Sequence, residues 1–225
     1  MQPYSICTTI GEKTYDEIMN VLNKVSFAEI RLDLNEISDS EIESVFGTGK
    51  KLIATCREGC YTKNQRLARL TKAMRSGAQY VDIETESDEN YINMLSLEAK
   101  KNKCKIIISY HNFDETLSFD ELVNIVETCK NQGADIVKLV TTARNKADAA
   151  RVLSLYDKYT HGDLVAFAMG DDGVITRAAC IFLGSPYTYA SVSDDKQVAN
   201  GQVSVKRMNE LINILTDEHH KKPSL

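Results

Sequence analysis

Short apolar runs and amphipathic stretches alternate along the chain, and that alternation predicts strands and helices in turn. Runs at residues 4–10, 27–33, 51–57, 80–85, 105–111, 135–140, 163–169 and 187–192 read as eight strands. Helical spacing fills the gaps, for example over 15–25, 65–76, 119–130, 146–159 and 205–215. Two of these helices close on a glycine just ahead of the next strand, at Ser76-Gly77-Ala78 and Gln132-Gly133-Ala134, as left-handed helix stops do. Strands alternating with helices form a parallel sheet with crossover connections. The fold class is therefore α/β, and eight units fit one (β/α)8 TIM barrel over residues 1–216, with a polar tail at 217–225. A doubly wound open sheet is the alternative, but no GxGxxG follows the first strand.

Side chains in a strand alternate between two faces, so the face of each residue follows from its parity. In the second strand Ile30, Leu32 and Leu34 share one face while Glu29, Arg31 and Asp33 share the other. The fourth strand repeats this with Val81 and Ile83 against Asp82 and Glu84. In a barrel the apolar set packs on the helices, so the charged set lines the lumen. Arg57 ends the third strand, His111 the fifth, and Lys138 sits inside the apolar run 133–140. Barrel interiors are usually filled by branched apolar residues, so ions placed there by several strands need a cause. Glu29, Arg31, Asp33, Arg57, Asp82, Glu84 and Lys138 carry four negative and three positive charges, enough to nearly neutralise one another. Asp33 and Asp82, deeper in their strands, suit an ion-pair layer that fixes the barrel; Arg57, His111 and Lys138 fall at or near C-terminal strand ends, where barrel active sites lie.

A lysine in an apolar run commonly lies with its head in water. A buried one must be paired or lose its proton, and a neutral lysine is a nucleophile towards carbonyl carbon, the chemistry of Schiff-base enzymes. His111 is the histidine placed to act as acid or base, since His161 precedes the seventh strand on the opposite rim and His219 and His220 are in the tail.

Composition narrows the field. The 225 residues are 43% hydrophobic and 26% charged with a net charge of -5, an ordinary globular balance without the basic footprint of a nucleic-acid binder. No apolar run approaches a membrane span and the first residues lack the pattern of a signal peptide, so a cytoplasmic location is expected. Of six cysteines, five fall in predicted strands or helices as small hydrophobes, and Cys56 and Cys60 are too far apart for a CxxC; no zinc or other metal site is expected.

Seven short motifs occur in one order along these strands. They are Glu29-Ile30-Arg31-Leu32-Asp33, Thr55-Cys56-Arg57 with Glu58-Gly59, Asp82-Ile83-Glu84, Ser109-Tyr110-His111-Asn112-Phe113, Ala134 to Lys138, Ala168-Met169-Gly170 with Thr176-Arg177, and Gly201-Gln202. Together they resemble type I 3-dehydroquinate dehydratase, the Schiff-base class of shikimate-pathway dehydratases, over nearly the whole chain. The resemblance implies that 3-dehydroquinate loses water to give 3-dehydroshikimate. By the same likeness Lys138 forms an imine with the C3 ketone, His111 takes the C2 proton and later serves the leaving C1 hydroxyl, and Glu58 orients His111. Arg177 would clamp the substrate carboxylate, Gln202 would cover it from the last loop, and Glu29, Arg31, Arg57 and Thr8 would bind on other walls. Nearby Arg31, Arg57 and Arg177 are expected to disfavour the Lys138 ammonium. No metal or organic cofactor is implied, because the lysine is the electron sink; the partner is the small-molecule substrate, and a homodimer is implied.

Two departures from the family pattern fall in rim loops. Its last loop often reads S-A-P-G-Q where this chain has Val198-Ala199-Asn200-Gly201-Gln202, and its EGG is Glu58-Gly59-Cys60 here. Both are expected to alter substrate affinity more than chemistry. The competing readings are a class I Schiff-base aldolase, for which Gly184-Ser185 offers thin support as a phosphate site, and a catalytically silent metabolite-binding barrel.

Overall fold

The strands and helices fall where the alternation puts them in the computed structural model, which describes residues 4–160, 162–197 and 201–217. His161, the loop residues Val198, Ala199 and Asn200, and the tail with His219 and His220 lie outside the described residues. The first half runs β1 (Ile6–Ile10), α1 (Tyr15–Leu22), β2 (Phe27–Arg31), α2 (Asp39–Phe46), β3 (Lys51–Thr55), α3 (Lys63–Arg75), β4 (Tyr80–Glu84) and α4 (Glu89–Lys101). The second runs β5 (Lys105–His111), α5 (Phe119–Asn131), β6 (Ile136–Thr142), α6 (Lys146–Leu153), α7 (Leu155–Lys158), β7 (Leu164–Met169), α8 (Val174–Phe182), β8 (Thr188–Ser191) and α9 (Val205–Asp217).

Every strand pairing is parallel, and the ladder runs in sheet order from β7 through β6 to β1 and on to β8. Eight parallel strands with alternating helices make a nearly closed (β/α)8 barrel, whose seam falls between β7 and β8. Local sequence sets the helix ends. Thr14, Ser38, Thr62 and Ser118 each open a helix with a capping box, the side chain accepting from the N3 amide while the N3 Glu or Gln reaches back. At the other end Gly77 and Gly133 take φ of 114° and 93°, the left-handed stops expected from their place before a strand. The stretch 146–159 differs: it divides at Ser154, whose hydroxyl bonds back to the Arg151 carbonyl and caps α6 as α7 begins.

Parity divides the core in two. Ala28, Ile30, Leu52, Ala54, Val81, Ile83, Val137 and Leu139 face outward into the layer under the helices. Cys7, Ile53, Ile107, Val165 and Phe167 point inward. Aromatic rings close the lower end, where Phe27 and Tyr187 meet edge to face at 5.0 Å and the Lys51 amine lies 4.2 Å from the Phe27 centroid. No helix among the described residues is long and apolar enough to cross a membrane.

Helix α8 bridges the seam. The Ala168 amide of β7 donates to Thr176 Oγ1 at 2.8 Å, and Thr188 Oγ1 of β8 donates to the Arg177 carbonyl at 2.6 Å. Just ahead of the helix, Gly173 passes so near β7 that a Cβ there would lie 2.7 Å from both the carbonyl carbon and oxygen of Ala168. A Gly173→Ala substitution should cost about 1–3 kcal/mol through this overpacking, read as a lower urea midpoint with an unchanged slope.

Candidate active site

A cavity of about 340 Å³ opens at the C-terminal ends of the strands. Glu29 and Arg31 of β2, His111 of β5, Lys138 of β6 and Arg177 of α8 line it, together with Arg57 and Glu58 beyond β3 and Gln202 beyond β8. Eight of the nine site positions expected from the sequence therefore share one space. Thr8 does not. In β1 it pairs with Ala28, which faces the helices, and Thr9 takes the inward position beside Glu29. Thr9 lines the cavity and its hydroxyl accepts from Gln202 Nε2 at 3.4 Å, so the first-strand hydroxyl belongs to the neighbour of the expected residue.

Lys138 is 5% exposed and points into the lumen. Its amine lies 3.1 Å from Asp82 Oδ2 and 3.3 Å from Glu29 Oε1, and 4.3 Å from the centroid of the Tyr189 ring. The groups that touch it by hydrogen bond are carboxylates; of the expected arginines, Arg57 reaches it through Asp82. Arg57 Nη2 meets Asp82 Oδ2 at 2.8 Å, its Nη1 donates to Ser109 Oγ at 2.9 Å, and Ser109 donates to Asp82 Oδ1 at 2.6 Å. Burial alone would raise the Asp82 carboxyl, but Arg57 first, then Lys138 and the Ser109 bond, hold it well below the usual carboxylate range. Thr55 Oγ1 donates to Glu29 Oε1 at 2.9 Å, and Arg31 grips Asp33 through two bonds of 3.0 and 2.6 Å. Asp82 lies in the ion layer beneath the cavity as expected, whereas Asp33, expected deeper in its strand, falls in the turn beyond β2 because the strand ends at Arg31, and there it fixes that guanidinium.

His111 and Arg177 are both perturbed by enclosure. Burial, then the positive charges of Arg57 and Lys138, push the His111 imidazole well below 6.5, so it is neutral at neutral pH. Phe113 stacks near it, ring centroids 6.0 Å apart with planes 13° from parallel. Arg177 is 1% exposed, lies 4.4 Å over the Phe167 ring, and is pulled down by burial to about 10. At about 10 the guanidinium is still charged at neutral pH, and an anion bound in the cavity acts in the opposite direction to burial.

Glu58 lines the cavity, but its carboxylate is not the partner of His111 in this arrangement. Arg66 of α3 takes it at 2.8 Å, and no hydrogen bond joins Glu58 to His111. The same guanidinium donates to Glu84 Oε2 at 2.8 Å and to the Cys56 carbonyl at 2.9 Å, tying the β3 rim loop to the end of β4. Arg66 was hidden in the sequence because it looks like one of several charges on an amphipathic helix; only its 4% exposure separates it from Arg75. Thr55 and Ser109 were legible by parity, since both stand on inward positions of their strands. Gly184-Ser185, considered as a phosphate loop, precedes β8 and so lies on the opposite rim from the cavity.

Residues 6–219 match the family model of type I 3-dehydroquinase. The chain is 33% identical over 221 residues to the 3-dehydroquinate dehydratase of Dehalococcoides mccartyi, covering 96% of this chain and 97% of that protein. Among solved structures, 3-dehydroquinate dehydratase from Aquifex aeolicus superposes with a TM-score of 0.79 at 27% identity, over 95% of this chain and 99% of that one. The type I 3-dehydroquinate dehydratase of Clostridium difficile with covalently modified comenic acid gives a TM-score of 0.84 over 96% and 93% of the two chains, and at 22% identity is evidence for the fold.

The ion layer makes Ser109 a sensitive point. A Ser109→Ala change leaves Asp82 Oδ1 and an Arg57 N–H without their shared partner, and should lower stability by about 1–3 kcal/mol, measured by urea unfolding.

Proposed function

The chain belongs to the type I 3-dehydroquinase family, and on that premise we propose that it converts 3-dehydroquinate to 3-dehydroshikimate through an imine on Lys138, with His111 as acid and base. The observation that carries this reading is the placement of one enclosed lysine in the cavity that a depressed histidine and a buried arginine also line. A lysine nitrogen bonded to the C3 carbon replaces the ketone by a protonated imine as the ketone oxygen leaves as water, and addition of water to the imine after the elimination frees the product and the amine. The protonated imine withdraws electrons, so the carbanion formed at C2 is held as an enamine. A neutral imidazole is the form that accepts the C2 proton, and His111 as imidazolium then returns it to the departing C1 hydroxyl.

The cavity suits the substrate's other groups. Arg177 offers a planar fork to the carboxylate, and its burial strengthens the pairing because little water competes. Glu29, Arg31 and Arg57 face the hydroxyls, with Arg31 held in place by Asp33. Gln202 reaches over from beyond β8, anchored on Thr9. Glu58 bounds the space occupied by His111 from the rim and is held by Arg66. The family match favours this dehydration over the aldolase reading, and the absence of a phosphate in the substrate agrees with an arginine and carboxylates as the recognising groups.

Borohydride added with 3-dehydroquinate tests the imine. Wild type and His111→Ala should both gain a reduced adduct on Lys138 by mass spectrometry, whereas Lys138→Ala should gain none; His111→Ala should turn over ~10²–10⁴-fold more slowly. Near-full activity in His111→Ala would assign the proton steps to another group.

The pH dependence follows from the sign of the histidine shift. A lowered pKa keeps the basic imidazole present from neutral pH down past 6.5, the ordinary value, and protonation removes it only in more acid solution. The acid limb of kcat/KM should therefore be centred below 6.5. A limb at or above that value would show that another group supplies the base.

A further inference from the structure

The imine reading leaves one proton without a destination. Lys138 is held as an ion pair, and an ammonium has no lone pair, so it must lose a proton before its nitrogen can attack a carbonyl. Two carboxylates touch it, and they are not equivalent.

Asp82 is committed. Both of its oxygens carry other donors, Ser109 on Oδ1 at 2.6 Å and Arg57 on Oδ2 at 2.8 Å, so taking a proton would break a charge-assisted bond inside a fully buried layer. It is also beneath the cavity, away from any bound molecule. Glu29 is placed differently. The Thr55 hydroxyl and the Lys138 amine both meet Oε1, at 2.9 and 3.3 Å, and neither donor is a guanidinium. Glu29 lines the cavity as well, so the same carboxyl reaches both the amine and the space where a carbonyl oxygen would lie.

We propose that Glu29 is the catalytic proton acceptor that activates Lys138, a role that rests on the imine reading and extends it. A proton passes from the Lys138 ammonium to Glu29, leaving a neutral amine beside a neutral carboxylic acid. The nitrogen lone pair then forms the C–N bond while the carbonyl π pair moves onto oxygen. Glu29 returns its proton to that oxygen, which completes the protonated carbinolamine and restores the carboxylate. Charge balances at every stage. The first transfer converts two ions in a buried site into two neutral groups, which removes the burden of keeping both charges out of water.

This divides the work across the barrel. Glu29 on β2 serves the lysine from the opposite wall, and His111 on β5 is left free for the carbon acid. The groups facing Glu29 are Lys138 from β6, Asp82 from β4, Arg31 above it on its own strand, Arg57 beyond β3, and Cys7 and Tyr189 from β1 and β8. Burial raises the thiol and the phenol well above their usual values, so both stay protonated near neutrality and cannot stand in as the base.

The test is the rate of imine formation, followed by quenching single-turnover mixtures with borohydride between pH 6 and 9 and counting the adduct by mass spectrometry. Glu29→Gln keeps an oxygen for Thr55 and Lys138 but cannot take a proton. Its adduct should form ~100-fold more slowly at neutral pH and accelerate about tenfold per pH unit as hydroxide takes over, one proton being removed before the rate-limiting attack. Wild type should show no such rise. Glu29→Asp, which retains a carboxylate, should be slower than wild type yet keep the flat profile, and serves as the decisive variant if the glutamine form does not fold. Wild-type rates in Glu29→Gln, or a profile in Glu29→Asp that climbs with pH, would overturn the assignment. Failure of the wild type itself to trap an adduct would instead remove the imine reading on which it stands.

Discussion

The structure is organised around charges that have been taken out of water and must therefore be satisfied by one another. Lys138 at the centre is reached by Glu29 from β2 and Asp82 from β4, and Asp82 is shared with Arg57 and Ser109. An ammonium or carboxylate enclosed alone would change its protonation or unfold its surroundings, so each member exists only because the others do. The layer is costly as a stabilising device, since well-packed apolar side chains would serve a barrel interior as well or better. Its presence on inward positions of several strands is thus an argument for chemistry before any comparison is made.

What holds the layer in register is the parallel ladder. Ser109 stands opposite Lys138, Thr55 opposite Asp82, and Thr9 opposite Glu29, so neighbouring strands deliver complementary groups at the same height. A slip of one residue in any strand would send its charged set into the apolar layer under the helices. The inward apolar residues beneath, such as Ile53, Ile107 and Val165, set the floor on which the ions rest. Dry surroundings below and a solvent-facing opening above give the site its asymmetry: His111 is depressed by enclosure while Glu58 stays at the surface.

Much of this was legible in the sequence because strand parity is a strict rule. Glu29, Asp82 and Lys138 could be set facing one lumen from alternation alone, and the eight-unit repeat named the architecture. The failures have physical causes too. Thr8 came from likeness to the family's first strand, and a likeness without a fixed register can miss by one residue; Cys7 and Thr9 carry the inward face instead. Arginines were expected beside Lys138 as like charges, whereas its direct contacts are the carboxylates of Glu29 and Asp82, because parity gives the face of a side chain but not which neighbour it meets. Glu58 was assigned to His111 by likeness, whereas the guanidinium that holds it comes from a helix, where a 3.6-residue period lets many charged positions look alike. The stretch 146–159 divides at Ser154, a break that helical spacing does not mark.

The seam between β7 and β8 gives the barrel an unequal rim. Seven strand junctions are zipped by backbone ladders, while at the eighth the two edge strands are joined through α8, the helix bearing Arg177, by hydroxyl bonds and by the packing of Ala178 and Ile181 in the core. Whatever shifts α8 therefore shifts Arg177 and both edges of the sheet together, so the position of the guanidinium and the width of the joint are one coordinate.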